Sequence, residues 1–366
     1  MKGCNLMKLE ELDVNVKCEQ FQRDDCKLYS VREQPFSIHG LYQPLTQGTF
    51  RRMPLEVANQ CNPSVKGLHT MTSGGRVRFQ TDSEYIVLKA IYPSLFLVDC
   101  MPLTGSSGFD IYVDGVFYRK FGIPVVYSED GTPSYDIDGG YEAIAQFPDR
   151  KMRDIIINFP LYNEVSDVYL GLQESAKLEK GKDYTYQTPI VFYGSSITTG
   201  GFASRPGNSY PAILSRELDS EFINLGFPGG AKGDLEIAKY ITTLPMSVLV
   251  YDYDANAPNA EFLKETHEKM FLAIREKRPE LPIVMLSYPG LVYAKKDIED
   301  RKAVIRATYE NAKARGDRNV YFIDGQEILS ANERDVFFTD GNHPNDYGFL
   351  CMAKALYPLL KELLEQ

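Results

Sequence analysis

The chain contains no tryptophan and only four histidines in 366 residues. The missing tryptophan excludes little, because 24 tyrosines and 20 phenylalanines supply ample aromatic surface. The six cysteines (Cys4, Cys18, Cys26, Cys61, Cys100 and Cys351) form no CxxC pair and no metal-like spacing. They read as reduced thiols rather than a disulfide frame. There is no run of 18 apolar residues, and the opening MKGCNLMKLEELDVNVKCEQ has no apolar signal core. The expectation is a cytoplasmic protein, or a secreted one if a signal peptide was removed, with no membrane partner. Lysine and arginine form no cluster and the formal net charge is −10, which argues against nucleic acid or an anionic membrane. REKRPE at 275–280 is mixed in sign and reads as a solvated helix end. No internal repeat is present, and the length predicts two domains.

What is there divides near residue 183. From about 30 to 180, short runs such as GRVRFQTDS, YIVLKAIY, GFDIYVDGVFYRKF, DIIINFPLY and VSDVYLGLQ alternate apolar and polar residues between turn formers. YVDGVFY places Asp114-Gly115 between two strand-like runs, a strong hairpin signal. This texture predicts an antiparallel β-sandwich, jelly-roll-like, over 1–183. After the polar connector LEKGKDYTYQTP, five apolar runs follow: IVFYG, EFINLGF, SVLVYDYD, PIVMLSYP and NVYFIDG. Each is answered by an amphipathic stretch, which predicts a parallel sheet covered by helices on both faces over 184–366. Ligands of such sheets sit beyond the carboxyl ends of the strands.

Those ends carry chemistry. The first run drops into Gly194-Ser195-Ser196, where small hydroxylated residues could cradle a phosphate, cap a helix or hold a nucleophile. GSSITTGGFAS lacks the lysine of a P-loop, and the spacing of a dinucleotide fingerprint is absent. One hydroxyl must cap the next helix, which does not exclude a nucleophile. A serine needs a base, and the base needs an orienting group. His39 and His69 lie in the N-terminal region, away from the sheet. His267, in KETHEKM, is expected to be solvated on a charged helix. His343, in TDGNHPND, is flanked by loop formers, and Asp340 three residues earlier can meet its Nδ1–H. Donors for an oxyanion are available from the backbone N–H of Ser196, the backbone N–H of Gly229 and the amide of Asn256. As plain structure, the same residues would be a helix cap, a glycine turn and an Asx-turn before Pro258.

At these positions the sequence resembles the SGNH (GDSL-like) hydrolase superfamily, over roughly residues 186–366. YGSSIT is similar to the first block and implies Ser196 as nucleophile. NLGFPG is similar to the second and implies Gly229 as an oxyanion donor. DYDANAP stands where the third carries its Asn, here Asn256, and DGNHP resembles the last, with Asp340 orienting His343 as general base. Ser195 stands where the common motif has Asp and is a rival nucleophile; the third block lacks the usual G-x-N-D form. GFDIY, Gly108–Tyr112, resembles the G-x-D-[LI]-Y motif of a branch with an N-terminal β-sandwich. The resemblance implies a flavodoxin-like three-layer α/β/α domain with a five-stranded parallel sheet and two-step acyl transfer through Ser196, His343 and Asp340. It implies no metal or organic cofactor. A short acyl ester, such as acetyl on a carbohydrate-like alcohol, is the expected substrate, a small molecule or an oligosaccharide; Tyr253, Tyr288 and Phe202, near the strand ends, either stack on a sugar ring or are ordinary rim or core aromatics. A lipase- or thioesterase-type hydrolase on a non-sugar ester, a non-catalytic carbohydrate-binding protein and an interaction module are the alternatives. The oligomeric state is not readable.

Overall fold

The computed structural model describes residues 23–99, 101–127, 133–135, 137, 140–290, 296–328 and 334–366. Cys4, Cys18, Cys100 and the opening segment lie outside the described residues. Cys26, Cys61 and Cys351 are free thiols. Among the described residues no helix is long and apolar enough to cross a membrane.

Alternation in the first half produces two antiparallel sheets. One runs in the order β1 (Cys26–Ser30), β11 (Asp167–Gln173), β4 (Tyr85–Ile91), β9 (Tyr141–Gln146). The other runs β12 (Leu178–Lys180), β3 (Arg76–Thr81), β10 (Arg153–Asn158), β5 (Phe109–Val113), β6 (Val116–Phe121), with β2 (Ser37–His39) also paired to β3. A two-residue ladder, β7 (Val126–Tyr127) with β8 (Pro133–Ser134), stands apart. Val77, Phe79, Ile111, Ile155 and Ile157 of one sheet meet Ile86, Leu88, Leu170 and Leu172 of the other in one core. The expected hairpin forms: Val113 pairs with Val116, and Asp114 and Gly115 both take positive φ, 50° and 82°, as a type I′ turn requires.

The five continuous apolar runs form one parallel sheet ordered β14 (Ser220–Gly226), β13 (Tyr186–Gly194), β15 (Val248–Asp252), β16 (Ile283–Leu286), β17 (Val320–Ile323). Counting within this sheet the order is 2-1-3-4-5, the flavodoxin-like arrangement. Successive strand residues serve opposite faces. Val191, Tyr193, Leu249, Tyr251 and Met285 pack with helices Leu235–Thr243 and Ala260–Lys277. Ile190, Phe192, Val250 and Leu286 pack with helices Tyr210–Leu218 and Asp346–Leu364.

The sandwich has its own core, but the apolar clusters flanking the parallel sheet are shared with the first half. Met53, Ala58 and Val65, from the short helical stretch ahead of β3, belong to the same apolar cluster as Val191, Leu225 and Ile237. Two histidine expectations are corrected. His267 is buried, because with Leu263, Met270 and Ile274 it falls on the apolar stripe of its helix; its Nδ1 meets Thr308 Oγ1 at 2.9 Å. Burial pulls its pKa down to about 3. His39 is not remote from the parallel sheet: its ring contacts Glu221 at the start of β14.

Candidate active site

Gly194 ends the central strand β13, and the chain turns at once into a single helical turn, Ser196–Thr199. The helix expected there is therefore too short to supply much of a macrodipole. Ser195 is the cap: its Oγ is fully buried and accepts the Ile197 N–H at 3.1 Å. Its backbone N–H is held by the Asp252 carbonyl of the neighbouring strand at 3.1 Å. The next hydroxyl, that of Ser196, faces the other way. Ser196 Oγ lies 2.8 Å from His343 Nε2.

His343 reaches that point from the loop ahead of the last helix. Its Nδ1 is 2.8 Å from Asp340 Oδ2. The other oxygen, Oδ1, accepts the backbone N–H groups of Asn342 (2.9 Å) and His343 (2.7 Å). Burial works to raise the pKa of this carboxyl, but these N–H groups and the ring outweigh it and hold it below 3.8. An ionised carboxylate only accepts, so the proton sits on Nδ1 and Nε2 is left to accept from Ser196.

Two contacts steady the imidazole. Phe202 stacks on it at 4.3 Å with an interplanar angle of 17°. Asn342 lies against it, its Nδ2 3.4 Å from both ring nitrogens, and its Oδ1 accepts the Tyr288 hydroxyl at 2.5 Å.

Of the expected oxyanion donors, Gly229 and Asn256 are brought together but engage each other. The Gly229 N–H donates to Asn256 Oδ1 at 3.1 Å, and Asn256 Nδ2 donates to the Phe227 carbonyl at 2.9 Å. The Asn256 amide keeps a second N–H beyond that bond, and the Ser196 N–H is one of those a helix start cannot pair internally. Gly229 has φ 62° with open space where a Cβ would stand; glycine is needed there for the left-handed backbone and not to relieve crowding.

The aromatic expectations divide. Tyr253 is 1% exposed, packs among Tyr193, Tyr251 and His267, and bonds Thr266 Oγ1 at 2.8 Å. Tyr288 is likewise 1% exposed. Neither has a ring face left for a sugar: neighbouring rings enclose Tyr253, and the loops carrying Gly290 and Asn342 close on Tyr288. Phe202 is at the site, with its ring against His343.

Sequence reasoning missed three supports. Asp252, wholly buried, accepts from Thr198 Oγ1 (3.0 Å) and the Tyr210 hydroxyl (3.2 Å) and so pins the turn carrying Ser196. Burial, then the nearby Asp254, raises its pKa well above 3.8. Asn224 donates to the Thr198 carbonyl and accepts the Gly226 N–H. Arg52, from the first half, is buried and donates to the carbonyls of Gly226 (2.5 Å), Asn224 (3.3 Å) and Leu68 (2.9 Å), its guanidinium 4.7 Å from the Phe227 ring. Burial pulls its pKa down to about 9 against the influence of Tyr162. The signal for Asp252 was present in DYD at a strand end; Arg52 gave none. Among the described residues no group of three or more His, Cys, Asp or Glu side chains could hold a metal ion.

This geometry can be set beside known proteins. Residues 187–361 match the model of the GDSL-like Lipase/Acylhydrolase family, and residues 26–178 match the N-terminus of Esterase_SGNH_hydro-type, a model called GxDLY. A solved structure of a candidate GDSL-like lipase from Bacteroides ovatus ATCC 8483 is 25% identical, covers 93% of this chain and 98% of its own, and has a TM-score of 0.78. The salicylyl-acyltransferase SsfX3 from a tetracycline biosynthetic pathway is 20% identical, covers 93% and 98%, and has a TM-score of 0.73. A family two carbohydrate esterase from Clostridium thermocellum, solved with cellohexaose, is 16% identical, covers 81% and 94%, and has a TM-score of 0.57. The last two share the fold. No curated protein matches the chain.

Proposed function

Since the chain belongs to the GDSL-like (SGNH) hydrolases and carries the N-terminal domain of SGNH-type esterases, we propose that it is a serine esterase releasing short acyl groups, acetyl foremost, from a carbohydrate-like alcohol. The observation that carries this reading is the unbroken line from Ser196 Oγ through the His343 ring to Asp340, 2.8 Å at each step.

In the proposed reaction His343 Nε2 takes the Ser196 proton as Oγ attacks the ester carbonyl. The bond from carbonyl carbon to the alcohol oxygen then breaks, and His343 returns the proton to the leaving alkoxide. Water, deprotonated by the same nitrogen, attacks the acyl-enzyme; the bond from carbonyl carbon to Ser196 Oγ breaks, His343 returns the proton to Oγ, and the acid is released. Asp340 keeps the proton on Nδ1 and stabilises the imidazolium between the two transfers. The N–H of Ser196 and the amide of Asn256 face the developing oxyanion; Gly229 joins them once its N–H leaves Asn256 Oδ1. One such donor contributes about 3 kcal/mol, roughly a hundredfold in rate.

Fold-level likeness to a carbohydrate esterase bound to an oligosaccharide supports the choice of alcohol, and that support is by analogy. The test is acetate release from a panel of acetylated oligosaccharides, beside p-nitrophenyl esters of increasing chain length, with Ser196→Ala and His343→Ala as controls. Release from the sugars, abolished in both variants, is expected. A preference for long acyl chains would replace the deacetylase reading with a lipase. Activity surviving in both variants would remove these residues from the chemistry.

A further inference from the structure

Asp110 is the acidic residue of the GFDIY motif, and it is fully buried in β5 of the sandwich. Among the described residues one bond of its carboxylate stays within the sandwich: Oδ1 accepts Asn158 Nδ2 at 2.7 Å. Oδ2 is directed across to the other half, where it accepts the Gly207 N–H at 2.8 Å and pairs with Arg205 Nη1 at 3.2 Å. The Tyr112 hydroxyl, two residues along the same strand, meets the same guanidinium, and the Phe117 ring lies 3.8 Å from it. A buried carboxylate costs several kcal/mol unless its partners are in place, and an apolar residue would serve mere packing as well. A carboxylate spent on one loop calls for a reason in that loop.

The loop, residues 200–209, connects the Ser196 turn to the helix Tyr210–Leu218. The sandwich grips it further along. Thr104 Oγ1 donates to the Ser204 carbonyl at 2.5 Å, and a Cβ on Gly105 would lie 2.0 Å from the Ala203 carbonyl oxygen. On its other side the loop touches the proposed base once and the start of the helix that follows the base once. Phe202 stacks on the imidazole, and does so with φ 75°, a strained backbone state for a bulky residue that persists only where neighbours over-determine it. The Ser204 N–H donates to Asp346 Oδ1 at 2.8 Å and its hydroxyl meets Oδ2; Asp346 opens the last helix three residues after His343.

We infer that Asp110, assisted by Tyr112, is a positioning residue for ester hydrolysis: through Arg205 and Gly207 the sandwich fixes the 200–209 loop, and through Phe202 and Ser204 the loop fixes the His343 ring against Ser196. This rests on the esterase reading above and adds a task for the N-terminal domain: it holds the base in register with the nucleophile. The substrate does not touch Asp110, so the effect belongs in the chemical step and not in binding.

The experiment uses the full chain with Asp110→Asn, Phe202→Leu, their double variant and Ser204→Ala, all checked for cooperative melting. With p-nitrophenyl acetate, Asp110→Asn is expected to lower kcat by about ten- to a hundredfold, the scale of a misplaced catalytic group, with KM within about threefold. Because both changes act through one ring, the double variant should fall no more than about threefold below Phe202→Leu alone. A folded Asp110→Asn protein with kcat within about twofold of wild type, or losses that multiply in the double variant, would overturn the inference. Should Asp110→Asn fail to fold, Ser204→Ala decides, since it leaves every hydrogen bond between the halves in place; a kcat equal to wild type would count against the inference. A readout independent of turnover is the low-field imidazole N–H proton of the His343–Asp340 bond. It should move or broaden in Asp110→Asn, and an unmoved signal refutes the tie. If wild type hydrolyses no ester, the esterase reading fails, while this signal still judges the tie.

Discussion

Two substitutions at Asp340 should rank in an order that intuition reverses. Asp340→Asn is nearly isosteric and Asp340→Ala removes the group, yet the amide should be the more damaging. The reason lies in Oδ1, which accepts two backbone N–H groups, at 2.7 and 2.9 Å. An amide would turn its oxygen toward those donors, because an NH2 facing two N–H groups is repulsive. Its NH2 would then donate to His343 Nδ1 and drive the ring proton to Nε2, where no proton can be accepted from Ser196. A wrong tautomer of this kind costs roughly 10⁴ in kcat. Alanine imposes no tautomer. It forfeits a charge-assisted bond of about 1.5–3 kcal/mol. The lower figure applies because the carboxyl is 36% exposed and water can replace it, so the expected loss is about ten- to thirtyfold. Initial rates with p-nitrophenyl acetate between pH 6 and 8, on proteins matched by circular dichroism, measure both. An amide variant within about tenfold of wild type, or an alanine variant that is folded and slower than the amide, would refute the tautomer argument.

Ser195→Ala should keep activity within about tenfold while costing about 1 kcal/mol of stability, since it deletes only a cap; loss of turnover on the scale of Ser196→Ala would make Ser195 the nucleophile. Asn256→Ala should lower kcat by roughly a hundredfold with little change in KM, because the donor acts on charge that develops only in the transition state. His267 supplies a pH test. Its folded pKa, about 3, lies below the unfolded value near 6.5, so the unfolded chain binds the extra proton between those limits and stability is lost as the pH falls through that window. From pH 7 to pH 5 the loss from this residue is about 2 kcal/mol, and His267→Gln should flatten the urea-unfolding profile by that amount. An identical slope in the variant would show that the ring does not carry the effect.

How much of this was legible depended on how local each signal was. The strands of the parallel sheet were readable because residues buried on two faces leave uninterrupted apolar runs such as IVFYG and SVLVYDYD. Ser196, Asp340 and His343 were readable because strand-end placement and a D-x-x-H turn are statements about neighbours in sequence. His267 was misread since Glu265 and Glu268 beside it suggest solvent, whereas only spacing against Leu263, Met270 and Ile274 reveals the buried stripe. Tyr253 and Tyr288 stand at strand ends in sequence, but packing from residues distant in the chain, such as Tyr193 on one and Asn342 on the other, closes over them, and no short window encodes it. The Asp110–Arg205 pair joins positions 95 apart; GFDIY marked the residue without marking its partner.

The mixed cluster in which Met53, Ala58 and Val65 sit with Val191 and Leu225 bears on how such a molecule can be cut and inherited. A fragment starting at the parallel sheet would emerge with a greasy hollow and with the carbonyls of Asn224 and Gly226 deprived of their guanidinium. Shuffling this sandwich onto a foreign hydrolase should misfire for the same reason. The parallel-sheet half is therefore expected to keep its native packing only while the first half stays attached.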